Sequence, residues 1–320
     1  MQDLDSKGAP LYAFIYPGQG SQALGMGKSF RDNFKVAREL SERASDCLHL
    51  DMDKLLDSQQ EKLNETEYTQ PAIFLVSAMA QAIVESESEI KPALAFGHSL
   101  GEVSAYCLNG GATFDKAIKL VRKRGEYMFK ACSGGDSKLE AGMLVSLGLK
   151  VEGVEEVCNE LQKEGLQVWP ANYNLENQLV LAGVKQDLKV AEQRLKAAGA
   201  KRAMLLSMNV ASHCPLLAKA LDPFRELLES SLEDSRVPVL SNATLEAYTT
   251  KQEALGFLTD QLVKPVLYYK SVLKAKDLGI VRFIELGHGN LLAGLNNKIS
   301  DIPTLSINSA ESLSALGELP

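Results

Sequence analysis

Apolar residues fall along this chain in two rhythms. Largely apolar runs of strand length occur at residues 11–16 (LYAFIY), 93–96 (ALAF) and 281–286 (VRFIEL), each ending in a glycine-bearing turn. Short runs bounded in this way read as buried strands. Longer stretches carry helical spacing. Thr69-Gln70-Pro71 ahead of AIFLVSAMAQAIV predicts a buried helix capped at Thr69, with Pro71 near its first turn. A helix is also predicted from Phe114, and LLAGLNNKI after Asn290 predicts another. Strand, sharp turn and helix alternate, as in an α/β layer architecture.

The middle of the chain has its own pattern. Strands are predicted at 143–149, 167–171, 178–183 and 203–208, with helices at 152–164 and 186–198. That order, β-α-β-β-α-β, is the ferredoxin-like split unit. Residues 132–137 (CSGGDS) have the composition of a linker. The organisation expected is therefore a large, discontinuous α/β-hydrolase-like domain with a parallel sheet, residues 1–137 and 209–320. A small ferredoxin-like domain, 138–208, is inserted into it.

Composition narrows the function without naming it. The 320 residues are 45% hydrophobic and 23% charged, ordinary for a soluble chain. No apolar stretch reaches the ~18 residues of a membrane span, and the first residues lack the basic flank and apolar core of a secretion signal. Thirty-four basic residues against 41 acidic give a net charge of −7, which argues against a nucleic-acid binder. Five scattered cysteines with no CxxC pair, and four histidines with no HExxH, point away from a disulfide framework, a zinc site or metal catalysis. Reduced thiols in a cytoplasm are the expectation.

The strongest local signal is Gly97-His98-Ser99-Leu100-Gly101, a G-x-S-x-G between a predicted strand and a predicted helix. Flanking glycines let the backbone turn sharply enough to expose the serine hydroxyl at the strand's carboxyl end. A capping serine in an ordinary turn is the plainer alternative. A nucleophilic serine needs a base. His49 lies in a polar, charged region and suits the surface, while His98 sits on the turn itself and is poorly placed to reach back. His213, after the inserted unit, and His288, in a loop after a late strand, both remain open on these grounds.

Arg124 is singled out by periodicity. On the helix from Phe114, the residues Phe114, Ala117, Ile118, Val121, Gly125 and Met128 share one apolar face, and Arg124 falls inside it. Lys116, Lys119, Arg122, Lys123 and Glu126 lie outside. An inward guanidinium stays charged and calls for an anion: either a buried acid of the protein or a carboxylate on a substrate.

At these residues the chain resembles the malonyl-CoA:acyl carrier protein transacylases, the malonyl-loading enzymes of bacterial fatty acid synthesis. The resemblance runs from about residue 11 to 308. It rests on YPGQGSQ at 16–22, TQPA at 69–72, GHSLGE at 97–102 and Arg124-Gly125. It continues through NYN at 172–174, VLAG at 180–183, SHC at 212–214, Gln261 with Pro265, and IELGHG at 284–289. It implies Ser99 as acylated nucleophile and His213 as its base, in preference to His288. It implies that the Gln261 backbone carbonyl orients that histidine and that the amides of Gln19 and Leu100 form an oxyanion hole. Arg124 would grip the malonyl carboxylate, with Met128 and Asn172 lining the site.

The resemblance further implies ping-pong transfer between malonyl-CoA and an acidic acyl carrier protein, with no metal or redox cofactor. Lys196, Lys201 and Arg202 are candidates for meeting the carrier. Two departures stand out. The family usually has proline where His288 stands, and the Val210-Ala211 pair is a point of variation in polyketide-type acyltransferases, which leaves malonyl over methylmalonyl unfixed. The alternatives are such a polyketide-type enzyme, a serine hydrolase or thioesterase, and a non-catalytic acyl-binding scaffold.

Overall fold

The structure, a computed structural model, describes residues 10–133, 140–208 and 210–318. Among the described residues the strands are β1 (Tyr12–Tyr16), β2 (Pro92–Gly97), β3 (Ala141–Leu147), β4 (Val168–Leu175), β5 (Gln178–Val184), β6 (Arg202–Leu205), β7 (Val239–Leu240), β8 (Ala247–Tyr248), β9 (Arg282–Leu286) and β10 (Thr304–Ile307). They form two sheets, one of six strands in the order β10-β9-β1-β2-β7-β8 and one of four in the order β4-β5-β3-β6.

The large sheet is parallel from β10 to β7, and only the short β8 runs antiparallel at its edge. Every residue of β1 is buried, because helices cover both faces. Alternation sorts the side chains. Phe14 and Tyr16 join a core shared with the Thr66–Glu87 and Phe114–Ser133 helices. Ala13 and Ile15 face the opposite way, toward the side packed by the Tyr268–Asp277 and Leu291–Ile299 helices. Tyr16 pairs with Gly97, so the glycine turns after β1 and β2 emerge side by side at the carboxyl edge of the sheet, where such folds hold ligands.

The small sheet is antiparallel throughout, with the β-α-β-β-α-β order expected from the sequence. Leu144, Leu179 and Leu181 pack under its two helices, Val151–Lys163 and Lys185–Ala197. Their alternating neighbours Met143, Val145 and Val180 face away and line a cleft against the large sheet. The loop ahead of the Tyr268–Asp277 helix also joins the small sheet through backbone: Val266 donates to Ala171 O and its carbonyl accepts from Tyr173 N, both at 2.8 Å.

Several element limits differ from the expected ones for physical reasons. The long helix begins at Thr66, not at Thr69, and holds Pro71 inside it. Proline cannot donate to the carbonyl four residues back, and Arg122 Nη1 satisfies that Glu67 oxygen instead at 2.9 Å. Strand β4 continues past Ala171 to Leu175 because its pairing with β5 runs on to Leu175 opposite Gln178, with Val266 bridging Asn172 on the other edge. Of the predicted linker, Cys132 and Ser133 finish the Phe114–Ser133 helix, and 134–137 lie outside the described residues. The proposed boundary at 137/138 also lies outside the described residues, as does residue 209 of the boundary at 208/209.

Glycine is required where β1 meets the turn after β2. A Cβ on Gly101 would stand 1.9 Å from Tyr16 O, and one on Gly97 2.4 Å from the same oxygen, in both cases against backbone that cannot swing aside. Gly101→Ala is expected to destabilise the fold by roughly 3 kcal/mol or more, the range of severe steric lesions. Thermal or denaturant unfolding measures this, and a near-native midpoint would contradict the packing described.

Candidate active site

Strand β2 ends in a turn that places Ser99 at φ 54°, ψ −104°, a backbone region that residues with a Cβ rarely adopt. The surroundings hold it there. Asn242 Oδ1 accepts from Ser99 N at 2.9 Å, Asn242 Nδ2 donates to Gly97 O at 2.8 Å, and Gln261 Nε2 donates to Ser99 O at 3.0 Å. The hydroxyl therefore projects from the sheet edge into a cleft of about 520 Å³ between the two sheets.

His213 meets it from the chain that returns after β6. Its Nε2 lies 2.7 Å from Ser99 Oγ and its Nδ1 2.7 Å from the backbone carbonyl of Gln261. A carbonyl can only accept, so Nδ1 carries the proton and Nε2 is left bare to receive the serine's. The Gln261 carbonyl is free for this role because the residue ends the Lys251–Asp260 helix as its C-cap. Burial and the nearby Arg124 charge press the imidazole from its ordinary 6.5 down to about 3, so it is neutral and able to accept a proton.

Arg124 is 1% exposed and points inward, as its place on the helical face predicts. Its hydrogen bonds go to Gln70 Oε1 at 2.9 Å, Gln261 Oε1 at 2.8 Å and Ser99 Oγ at 3.4 Å, none of them an acid. Its Nε is buried with no partner among the described residues. Burial lowers its pKa to about 10, and the charge of Glu102 opposes that shift, so the guanidinium remains a cation. It presents unspent donors beside the serine, which is what an anionic group on the reacting molecule would need.

The other expected residues have definite places. Gln19 and Leu100 line the cleft, and neither backbone amide bonds to a described residue. Met128 is buried beside Arg124, and its Sδ accepts from Gln70 Nε2 at 3.3 Å. Asn172, on β4, also lines the cleft, with its Oδ1 buried and unpartnered. His98 turns away from the serine and meets Asn174 Oδ1 at 2.8 Å, tying the turn to the small sheet. His49 caps a helix at the surface. His288 is half-buried and does not line the cleft.

Sequence reasoning missed the groups that hold these in place. Gln70 and Glu102 lay inside quoted motifs with no role attached, and the side chain of Gln261 does as much as its carbonyl. Asn242 follows the two-residue strand β7, too short to leave a periodic signal.

A serine hydroxyl on a strand–turn–helix, an imidazole oriented behind it and free amides beside it define a serine-nucleophile acyl-transfer site on an α/β fold. Comparison with known proteins agrees. Residues 13–316 match the family model described as the acyl transferase domain. The malonyl CoA-acyl carrier protein transacylase of Bacillus subtilis is 34% identical over 306 residues, 94% of each chain. The crystal structure of the malonyl-CoA:acyl carrier protein transacylase from Helicobacter pylori is 45% identical and superposes with a TM-score of 0.91 over 96% of this chain and 97% of its own. A malonyl-transacylase solved in complex with a type II polyketide acyl-carrier protein is 33% identical, with a TM-score of 0.91 over 96% and 99% of the two chains. The chain belongs to the acyl transferase domain family and, within it, to the malonyl CoA-acyl carrier protein transacylases.

The tautomer assignment has a direct check. The His213 ring should remain neutral and Nδ1-protonated as pH falls through 6.5, since its folded pKa is lowered. Ring ¹⁵N shifts recorded between about pH 8 and 5 should stay flat, whereas an ordinary solvated imidazole would titrate with a midpoint near 6.5.

Proposed function

We propose that this protein transfers the malonyl group from malonyl-CoA to the phosphopantetheine thiol of an acyl carrier protein through a malonyl-serine at Ser99. The observation that carries the reading is the meeting of Ser99 Oγ, His213 Nε2 and the buried Arg124 guanidinium within 3.4 Å of the serine oxygen. It supports a nucleophile, a base and a carboxylate grip in one place.

In the first half-reaction His213 Nε2 takes the Ser99 proton as Oγ bonds to the thioester carbon. The resulting oxyanion is held by the amides of Gln19 and Leu100, each worth about 10²–10³ in rate. The C–S bond then breaks, and the proton on Nε2 passes to the departing coenzyme A sulfur. In the second half the carrier thiol gives its proton to Nε2 and attacks the malonyl-serine, and collapse returns the proton to Oγ. The Gln261 carbonyl keeps the imidazole aligned in both directions. A thioester is consumed and a thioester is formed, so the balance calls on no cofactor.

Throughout, Arg124 holds the distal carboxylate, with Met128 and Asn172 shaping the space around the acyl chain. Exposed Lys196, Lys201 and Arg202 on the small unit, read as residues 138–208 set into 1–137 and 209–320, offer positive charge to an acidic carrier. The buried Val210-Ala211 pair beside His213 is where a preference between malonyl and methylmalonyl would be set. No helix among the described residues is long and apolar enough to cross a membrane. Five unpaired cysteines suit the cytoplasm, where thiols stay reduced.

Two measurements test the reading. Incubation with malonyl-CoA should give an intact-mass adduct that Ser99→Ala abolishes and a carrier thiol discharges. Rapid release of free malonate without a carrier would favour a hydrolase. Arg124→Ala should lower malonyl transfer by roughly 10²-fold or more, the scale of truncated buried charge contacts, while acetyl transfer falls less. An equal fall for both acyl groups would remove the carboxylate grip.

A further inference from the structure

One fully buried acid has no task in the mechanism above. Glu102 is 0% exposed in the helix Leu100–Tyr106, directly after the serine turn. Donors surround it: Gln261 Nε2 at 2.6 Å and Asn242 N at 3.0 Å on Oε2, and the Tyr248 hydroxyl at 2.9 Å on Oε1. Such a shell suits an ionised carboxylate. Gln261 links it to Arg124, because the amide that gives its Nε2 to Glu102 accepts from Arg124 Nη2 on its Oε1 at 2.8 Å. Donors on one side and an acid on the other fix which way this amide points. Cation and acid are thus one side chain apart, with Glu102 and Gln261 buried behind the guanidinium that lines the cleft.

The groups facing Glu102 are few. Among the described residues, Arg124 faces it across Gln261 from the Phe114–Ser133 helix, and Tyr248 bonds it from β8. Behind Tyr248 stand Tyr106 and Cys107, and burial raises all three of these protons well out of the neutral range. His213 touches Ser99 Oγ and, of Gln261, only the backbone carbonyl, and it is neutral.

We propose that Glu102 is the resident counter-charge of Arg124 and sets how tightly the site holds a diacid, taking up a proton when the substrate carboxylate arrives. The inference rests on the malonyl reading above. Without substrate the buried cation and acid balance. A second carboxylate on Arg124 leaves one negative charge in excess, which a low-dielectric interior penalises heavily. Protonation of Glu102 removes the excess, and the proton can then lie between its Oε1 and the Tyr248 oxygen, which can rotate to accept. Burial has already raised this carboxyl to about 7, so protons are within reach at neutral pH. Acetyl brings no charge and calls for none. The sign follows: above about pH 7 Glu102 stays ionised and repels the diacid, so the KM for malonyl-CoA rises with pH while that for acetyl-CoA stays level.

Glu102→Gln isolates the charge, since its amide oxygen can accept from both Gln261 Nε2 and Asn242 N while its NH2 faces the Tyr248 oxygen. At about pH 8 the malonyl-CoA KM of E102Q is expected to fall roughly tenfold relative to the acetyl-CoA KM, and its rise with pH to vanish. Equal shifts for the two thioesters, or an undiminished pH dependence, would overturn the proposal. A second measurement leaves Glu102 in place. Calorimetry of the Ser99→Ala protein in two buffers of different ionisation heat, near pH 7.5, should show more proton uptake for malonyl-CoA than for acetyl-CoA, and equal uptake would overturn it. Failure of the wild-type chain to acquire malonyl at all would sink the transferase reading itself, an outcome distinct from either result.

Discussion

A guanidinium removed from water keeps its charge only if the protein replaces the lost solvation, and the surroundings of Arg124 are organised by that demand. Gln70 and Gln261 turn their amide oxygens toward it, and Glu102 supplies a counter-charge without direct contact. A direct ion pair would have spent the donors that an incoming carboxylate needs. Placing the acid one amide away keeps the cation supported and available. The same charge helps to hold His213 neutral, so the proposed carboxylate grip and the proposed base share one electrostatic field.

Gln261 is where these demands converge. Its backbone oxygen aligns the imidazole, its amide oxygen meets the guanidinium, and its amide nitrogen reaches both the Ser99 carbonyl and Glu102. Two residues at this junction, Ser99 and His213, sit at positive φ, and they persist there because the contacts around them over-determine the backbone. The small sheet closes the other side of the cleft. Its helices bury one face, its Met143, Val145 and Val180 face the serine, and the His98–Asn174 and Val266 contacts fix the gap between the sheets.

Much of this was legible before any coordinates. The glycine-flanked serine announced its turn because only glycine fits against Tyr16 O. The helical period placed Arg124 on the apolar face, and the alternation of short strands and helices gave the ferredoxin-like order. Errors fell at limits. Pro71 sits inside its helix because Arg122 satisfies the orphaned carbonyl, and β4 outruns its pattern because its hairpin partner β5 pairs with it as far as Leu175.

What the residues determined by themselves is local: which backbone must turn, which face of a helix is dry, and which side chain is out of place there. Periodicity records the face a residue presents, not the neighbour it meets. Local pattern therefore left His213 and His288 equal, as each follows a strand, and only the resemblance to relatives chose between them. The order of strands in the large sheet and the return of the chain from the small one bring His213 to Ser99 and leave His288 outside the cleft. The same packing brings Gln70 and Gln261 onto Arg124, and Glu102 and Asn242 behind Gln261 and Ser99, from elements far apart in the chain. No local pattern foretells that meeting, because it is fixed only when the layers close and every buried polar group must find its partner.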